Sequence, residues 1–293
     1  MSKTTLFVVN PVAGGINKSS VLSSIDSWAK SSQQEIETWQ TTGDNDLEKL
    51  LAKVKEIKPE KVVAIGGDGT LMLCAVALKD QEIPLGLIPA GSANGMASEL
   101  QIPENIKKAL QIIEKGHTLN ADMLCFNEQH YGLHISDIGL NAKLVKNFEE
   151  SGRRGFLGYA EGIISELINL EAFEVQLEID GRKSRQNCYM VAFANARRYG
   201  TGALLNYMGK MDDGLFEVCI LKKFDLAGIA GQFLDMLDEE SEHLEVIQCK
   251  ELRLKTDKPR SFQIDGELHE DIRELSVKVL PNCLRLIIPE AED

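Results

Sequence analysis

The segment Gly66-Gly-Asp-Gly-Thr70 lies between two apolar runs, Lys61–Ile65 and Leu71–Leu78. Gly66, Gly67 and Gly69 carry no Cβ, so a ligand can approach their backbone closely. A helix starting just beyond them aims its first N–H groups and the positive end of its dipole at the turn, where a phosphate would be stabilised. Asp68 is the anomaly there, since a bare carboxylate repels phosphate. Magnesium, bound directly or through water, would reconcile the two. An ordinary strand-to-helix turn uses the same residue types and is the competing reading. Two other loops also follow apolar runs: Asn10-Pro11-Val12-Ala13-Gly14, and Pro89-Ala-Gly-Ser-Ala-Asn94, in which Ser92 offers a hydroxyl and Asn94 an amide. Neither standard nucleotide fingerprint fits. Asn17 stands where a P-loop has glycine before Lys18-Ser19, and Met72 takes the third glycine position of G-x-G-x-x-G counted from Gly67. Downstream, Phe262-Gln-Ile-Asp-Gly-Glu267 sets two carboxylates around a glycine. Phosphoryl transfer to an alcohol needs a carboxylate placed to take the hydroxyl proton, and Glu267 is the residue expected to do so. Asp-Gly is equally a hairpin signal, so a solvated turn competes with that role.

These segments need a scaffold that gathers strand ends. Leu6–Asn10, Glu35–Thr38, Lys61–Ile65 and Leu85–Ile88 read as strands. Between them, Val21, Leu22, Ile25, Trp28 and Ala29 share one helical face, and Leu47, Leu50, Leu51, Val54 and Ile57 share another. Ile106, Ala109, Leu110 and Ile113 repeat the helical spacing after Pro103, with Gly116 as the stop. This alternation predicts a Rossmann-like α/β domain over residues 1–122, with a mainly parallel sheet whose ligands meet the carboxyl ends of its strands. Near Asp122 the texture changes. Phe173, Val175, Leu177 and Ile179 alternate with polar residues, Asp180-Gly181 marks a turn before the apolar run Tyr189–Ala194, and alternation returns at Leu275, Val277 and Val279 and at Leu284, Leu286 and Ile288. With helices expected near Tyr159–Leu170 and Leu226–Leu237, residues 123–282 read as a β-sandwich with inserted helices.

The formal charge of −13 and pI near 5.0 argue against nucleic acid as a partner, because affinity for phosphate backbones needs clustered Lys and Arg. No apolar run reaches the ~18 residues of a membrane span, and Met1-Ser-Lys-Thr-Thr-Leu-Phe7 reads into a strand and not a signal-peptide core, so a cytoplasmic protein is expected. Cys74, Cys125, Cys188, Cys219, Cys249 and Cys283 are scattered, with no C-x-x-C pair, and read as reduced buried thiols. His130 and His134 have no Cys or Glu at a metal-binding spacing.

Taken together, Asn10–Gly14, Gly66–Thr70, Pro89–Asn94, Asp137-Ile-Gly-Leu-Asn-Ala142, Asp213-Gly-Leu215 and Asp265-Gly-Glu267 resemble, in order and over nearly the whole chain, the diacylglycerol kinase catalytic-domain superfamily and its soluble bacterial lipid kinases. The resemblance implies a nucleotide cleft between the α/β and β-rich domains, a C-terminal end (about 283–293) that returns to the first domain, and transfer of the γ-phosphate of ATP, with Mg2+, to a hydroxyl of a lipid such as diacylglycerol or a sphingoid base. Nucleotide contacts would fall on Asn10, Pro11, Val12, Ala13, Gly14, Gly66, Gly67, Asp68, Gly69, Thr70, Leu71, Met72, Ser92 and Asn94. A threonine after the second strand would join them, with Thr38 preferred over Thr41 and Thr42. Glu267 falls on the proton acceptor, beside Asp265, and Asp68 would organise magnesium and phosphates. A structural magnesium loop resembles Lys210–Leu215, with Asp213 giving a carboxylate and Leu215 a carbonyl; the charged side chain of Lys210 cannot ligate, which leaves its carbonyl. Ser92 and Gly95 depart from the family's usual Thr and Asp, towards the sphingosine-kinase version of that loop. Expected partners are the lipid, a transient membrane-surface contact, and at most a second copy of the chain; Arg153, Arg154, Phe156, Leu157 and Tyr159 read either as a basic, aromatic interfacial edge, which the acidic total charge opposes, or as a plain helix-start loop. An NAD kinase, which shares Gly-Gly-Asp-Gly-Thr, and a non-catalytic nucleotide- or lipid-binding protein are the alternatives.

Overall fold

The structure, a computed structural model, describes residues 4–13, 18–139, 171–199, 203–204, 206, 208–223 and 244–290. Gly14, the expected helices near Tyr159–Leu170 and Leu226–Leu237, and the Arg153–Tyr159 edge lie outside the described residues. The chain divides into two compact units, Met1–Ala121 with Asn282–Asp293, and Asp122–Pro281.

The first unit runs β1 (Thr4–Val9), α1 (Lys18–Ser32), β2 (Glu35–Gln40), α2 (Asp46–Ile57), β3 (Lys61–Gly66), α3 (Asp68–Leu78), β4 (Leu85–Pro89), α4 (Gly95–Glu99) and α5 (Ile106–Lys115). Its strands lie in the order β2-β1-β3-β4 and pair in parallel. The end of the last strand, β16 (Glu267–Ile288), joins beside β4 with Leu286 opposite Leu85, also parallel. Leu6–Val9, Val62–Gly66 and Leu85–Pro89 are buried almost without interruption, the pattern of parallel strands covered on both faces. Val21, Ile25 and Ala29 form the buried stripe of α1, and Ala109, Leu110 and Ile113 that of α5. On α2 the stripe is Leu50 and Val54; Leu51 is 41% exposed, one residue round from the buried face. Helix α3 begins at Asp68, three residues before the apolar run that suggested it, with Gly67 as its N-cap.

The second unit is antiparallel. Its described strands are the end of β5 (His117–Phe126), β6 (His130–Gly132), β7 (Ile135–Gly139), β8 (Phe173–Ile179), β9 (Arg182–Cys188), β10 (Met190–Ala194), β11 (Arg198–Tyr199), β12 (Ala203–Leu204), β13 (Phe216–Leu221), β14 (Leu244–Cys249), β15 (Glu251–Ile264) and the first part of β16. One layer runs β14-β13-β10-β7. Strand β15 links it to the other: residues 252–256 pair with β8, residues 262–263 pair with β7, and the register slips between Lys255 and Phe262. A bulged strand that changes layers makes a corner of a sandwich. Alternate residues of both layers, among them Val175, Leu177, Leu252 and Leu254 on one side and Val191, Phe193, Phe216 and Val218 on the other, fill one core. Strand β9, Arg-Lys-Ser-Arg-Gln-Asn-Cys, has no apolar alternation and is missing from the sequence reading. Among the described residues it is a charged edge strand paired only with β8, where both faces tolerate polar residues and the charge guards against stray pairing. All six cysteines are free and buried. Burial pushes the Cys188 thiol up to about 12.

Candidate active site

In the first unit, the loops leaving the carboxyl ends of the strands are tied together by backbone bonds. The N–H of Asn10 donates to the Ile65 carbonyl (3.1 Å), that of Ala90 to Gly66 (2.8 Å) and that of Thr41 to Val9 (2.9 Å). The glycines of the central turn are required by the protein's own packing. A Cβ added to Gly66 would sit 2.2 Å from Thr70 Oγ1, and one added to Gly91 would sit 2.4 Å from Gly67 Cα. Gly69 is the exposed glycine of the turn, in the first turn of α3, where backbone N–H groups have no intrahelical acceptor.

Asp68 meets a backbone partner that sequence reasoning missed. Its Oδ2 accepts the N–H of Gly95 (3.0 Å) and its Oδ1 that of Met96 (2.9 Å), so the carboxylate caps α4 and joins the β3–α3 loop to the β4–α4 loop. The carboxylate thus has hydrogen-bond partners within the chain. Asn94 is buried with φ 54°; its Oδ1 accepts the Gly91 N–H (2.8 Å) and its Nδ2 donates to the Gly91 carbonyl (3.2 Å) and to Glu104 Oε1 (3.4 Å). Its amide is spent inside the loop, whereas Ser92 is exposed. Asn10 Oδ1 accepts the Val12 N–H at 3.0 Å, which turns Pro11 and the 86%-exposed Val12 outward, with Ala13 half-buried behind them. Thr70 and Leu71 are buried and Met72 half-buried. Thr38 lies inside β2, opposite Phe7, because the strand continues to Gln40. Thr41 is the first residue beyond it, and Thr42 is occupied, its hydroxyl donating to Asp46 Oδ1 at 2.8 Å.

In the second unit, Asp265-Gly266 is the two-residue turn between β15 and β16, with positive φ at both residues (49° and 89°) and Ile264 paired with Glu267. This is the type I′ geometry that Asp-Gly favours. The Asp265 carboxylate accepts the N–H groups of Leu133 (2.7 Å) and His134 (3.0 Å), which fixes the turn to the β6–β7 link. Glu267 is exposed at the head of β16. Two residues on, the His269 ring packs edge-on to His130 at 4.8 Å, and burial followed by the nearby His130 holds His269 below the usual imidazole range.

Comparison with known proteins follows this division of the chain. Residues 4–126 match the family described as "Diacylglycerol kinase catalytic domain", and residues 135–288 match the "YegS C-terminal NAD kinase beta sandwich-like domain". The chain belongs to the YegS-like lipid kinase family. A Salmonella arizonae protein named "Probable lipid kinase YegS" is 26% identical over 86% of this chain and 85% of its own length. An uncharacterized protein of Synechocystis sp. is 26% identical over 98% of this chain and 71% of its own length. In fold, the chain is similar to a diacylglycerol kinase structure from Bacillus anthracis strain Sterne, with a TM-score of 0.75, 21% identity, and coverage of 98% of this chain and 97% of that one.

For a lipid kinase of this kind, the expected structural magnesium would sit in the loop Lys210–Leu215. Asp213 Oδ1 accepts the Leu215 N–H (3.0 Å) and Lys210 is exposed. Among the described residues, no group of three or more His, Cys, Asp or Glu stands close enough to hold a metal ion. The loop is also tied by the fully buried Asp122, whose N–H donates to the Met211 carbonyl (2.6 Å) and whose Oδ2 accepts the Gly214 N–H (2.6 Å). Beside it, buried Glu217 accepts from Asn206 Nδ2 and from Gln248 Nε2 (2.9 Å). Burial first, and the Asp213 charge after it, pushes the Glu217 carboxyl up. No catalytic step is assigned to a metal there.

Proposed function

We propose that this lipid kinase transfers the γ-phosphate of MgATP to a hydroxyl of a lipid such as diacylglycerol or a sphingoid base, met at a membrane or micelle surface. Glu267 takes the hydroxyl proton as the oxygen attacks phosphorus and ADP departs. The observation that carries the reading is the exposed Gly69 at the head of α3, behind a turn whose other glycines are locked by packing. Such a helix start offers oriented N–H groups to phosphate without having to reorganise. Pro11, Val12, Ser92 and Thr41, from neighbouring strand-end loops, are candidate contacts to the rest of the nucleotide. Asp68 acts by welding two of these loops together, beside whatever role it has towards the magnesium of the substrate. Asp265 holds the turn that carries Glu267.

The test is transfer of label from ATP, with magnesium, to detergent-dispersed diacylglycerol, monoacylglycerol, sphingosine, ceramide and phosphatidylglycerol, with NAD as a control acceptor. Label in one lipid, cut about 100-fold or more by Glu267→Gln with the KM for ATP little changed, is the expected result. Label in NAD alone would move the activity to a soluble acceptor, and full turnover by the variant would remove Glu267 from the role.

A further inference from the structure

The proton acceptor read above projects from a turn, and a turn is a poor platform unless something fixes it. Two polar side chains buried in the second unit stand where they can do so. Asp137 on β7 and Gln263 on β15 are paired across the ladder and are 0% and 1% exposed. Directly paired residues project from the same sheet face, and Gln263 Nε2 donates to Asp137 Oδ2 at 2.5 Å and to the Ile135 carbonyl at 3.4 Å. The other end of the amide, Oε1, accepts the N–H of Gly266 at 2.6 Å. Chemistry decides which way this amide faces, because the Gly266 N–H can only donate, so it must meet Oε1 and leave Nε2 for the Asp137 carboxyl. Flipped, the amide would set oxygen against carboxylate and nitrogen against the Gly266 N–H. An apolar pair of similar volume would pack here without burying a carboxylate, so stability alone does not account for the polar one. What Asp137 adds is direction.

We propose that Asp137 and Gln263 form a positioning clamp for Glu267. Asp137 orients the Gln263 amide, and the amide locks the Gly266 end of the turn while the Asp265 carboxylate locks its other end to Leu133 and His134. The clamp rests on Glu267 being the proton acceptor, and it makes Gln263 and Asp137 positioning residues, because misplacing a catalytic group by about 1 Å costs about 100-fold in rate.

The pair can be exchanged in the full-length protein. Gln263→Glu sets two carboxylates face to face, whereas Asp137→Asn with Gln263→Glu restores one carboxylate and one amide in reversed order, with the introduced carboxylate still accepting the Gly266 N–H. With diacylglycerol micelles, or the panel lipid that takes label, Gln263→Glu should lower kcat about 100-fold at pH 8 and leave the KM for ATP within about threefold. The double variant should recover kcat to within about threefold of wild type. Exchange of the Gly266 amide, read by NMR or mass spectrometry without any substrate, should quicken about tenfold or more in Gln263→Glu and return in the double variant. Wild-type kcat and Gly266 protection in Gln263→Glu would overturn the clamp, as would a double variant that recovers neither. If protection follows the exchange while Glu267→Gln keeps full turnover, the clamp stands as a turn lock and the assignment of Glu267 falls.

Discussion

Asp68 illustrates how a residue given one role in the sequence can carry a second in the fold. Its place in Gly66-Gly-Asp-Gly-Thr70 suggests magnesium and phosphate, and local sequence names no backbone donor for its carboxylate. The partners, Gly95 and Met96, lie 27 and 28 residues away and meet it only once β3 and β4 are side by side. The same holds for Gly66 and Gly67. Their lack of a Cβ was legible, but the atoms needing that space, in Thr70 and Gly91, were not. Asp68→Ala strips two buried N–H groups of their acceptor, so it should cost about 2 kcal/mol of stability with no nucleotide present. Urea unfolding of the nucleotide-free protein measures this. Unchanged stability would leave Asp68 with substrate as its sole concern.

Among the elements, those with strong periodicity were the ones the sequence announced. β8 alternates Phe173, Val175, Leu177 and Ile179 inward, and α5 shows its buried stripe and its Asn105 cap, which accepts the Lys108 N–H at 3.2 Å. β9 escaped because an edge strand need not alternate, and α3 was begun late because its first turn is built from residues that also make turns. Turn chemistry was legible at Asp180-Gly181 and at Asp265-Gly266. The one before β9 carries a further load: Asp180, at φ 45°, accepts the N–H groups of Lys250 and Glu251 at 3.1 Å each, which sets the start of β15 against the β8–β9 hairpin. Asp180→Ala loses both bonds and puts alanine in a left-handed conformation, so a loss of about 1–2 kcal/mol is expected. Asp180→Asn, which tolerates that backbone and keeps an acceptor, should recover most of it; thermal unfolding of the pair decides whether the turn or its charge matters.

At the scale of the whole molecule, composition spoke to what the chain avoids more than to what it does. A net charge of −13 disfavours polyanions, and among the described residues no helix is long and apolar enough to cross a membrane. Periodicity showed where the α/β texture stops, near Asp122, but cannot show that a later stretch comes back. Leu284 and Leu286 alternate like any strand; the family resemblance implied their return, and in the fold they are buried in the first unit, with Leu286 beside β4. That return sets an order of events during synthesis. A ribosome releases residues 1–121 long before Asn282–Ile288, so β4 waits with one edge unpaired while the entire second unit is made. An exposed parallel edge with buried-type residues is a template for wrong partners. A chain ended after Pro281 should therefore keep the second unit's unfolding transition, lose or sharply lower that of the first, and aggregate when refolded at micromolar concentration. A nascent copy of this protein is thus at risk along β4, and it stays so until the residues around Leu286 have been made.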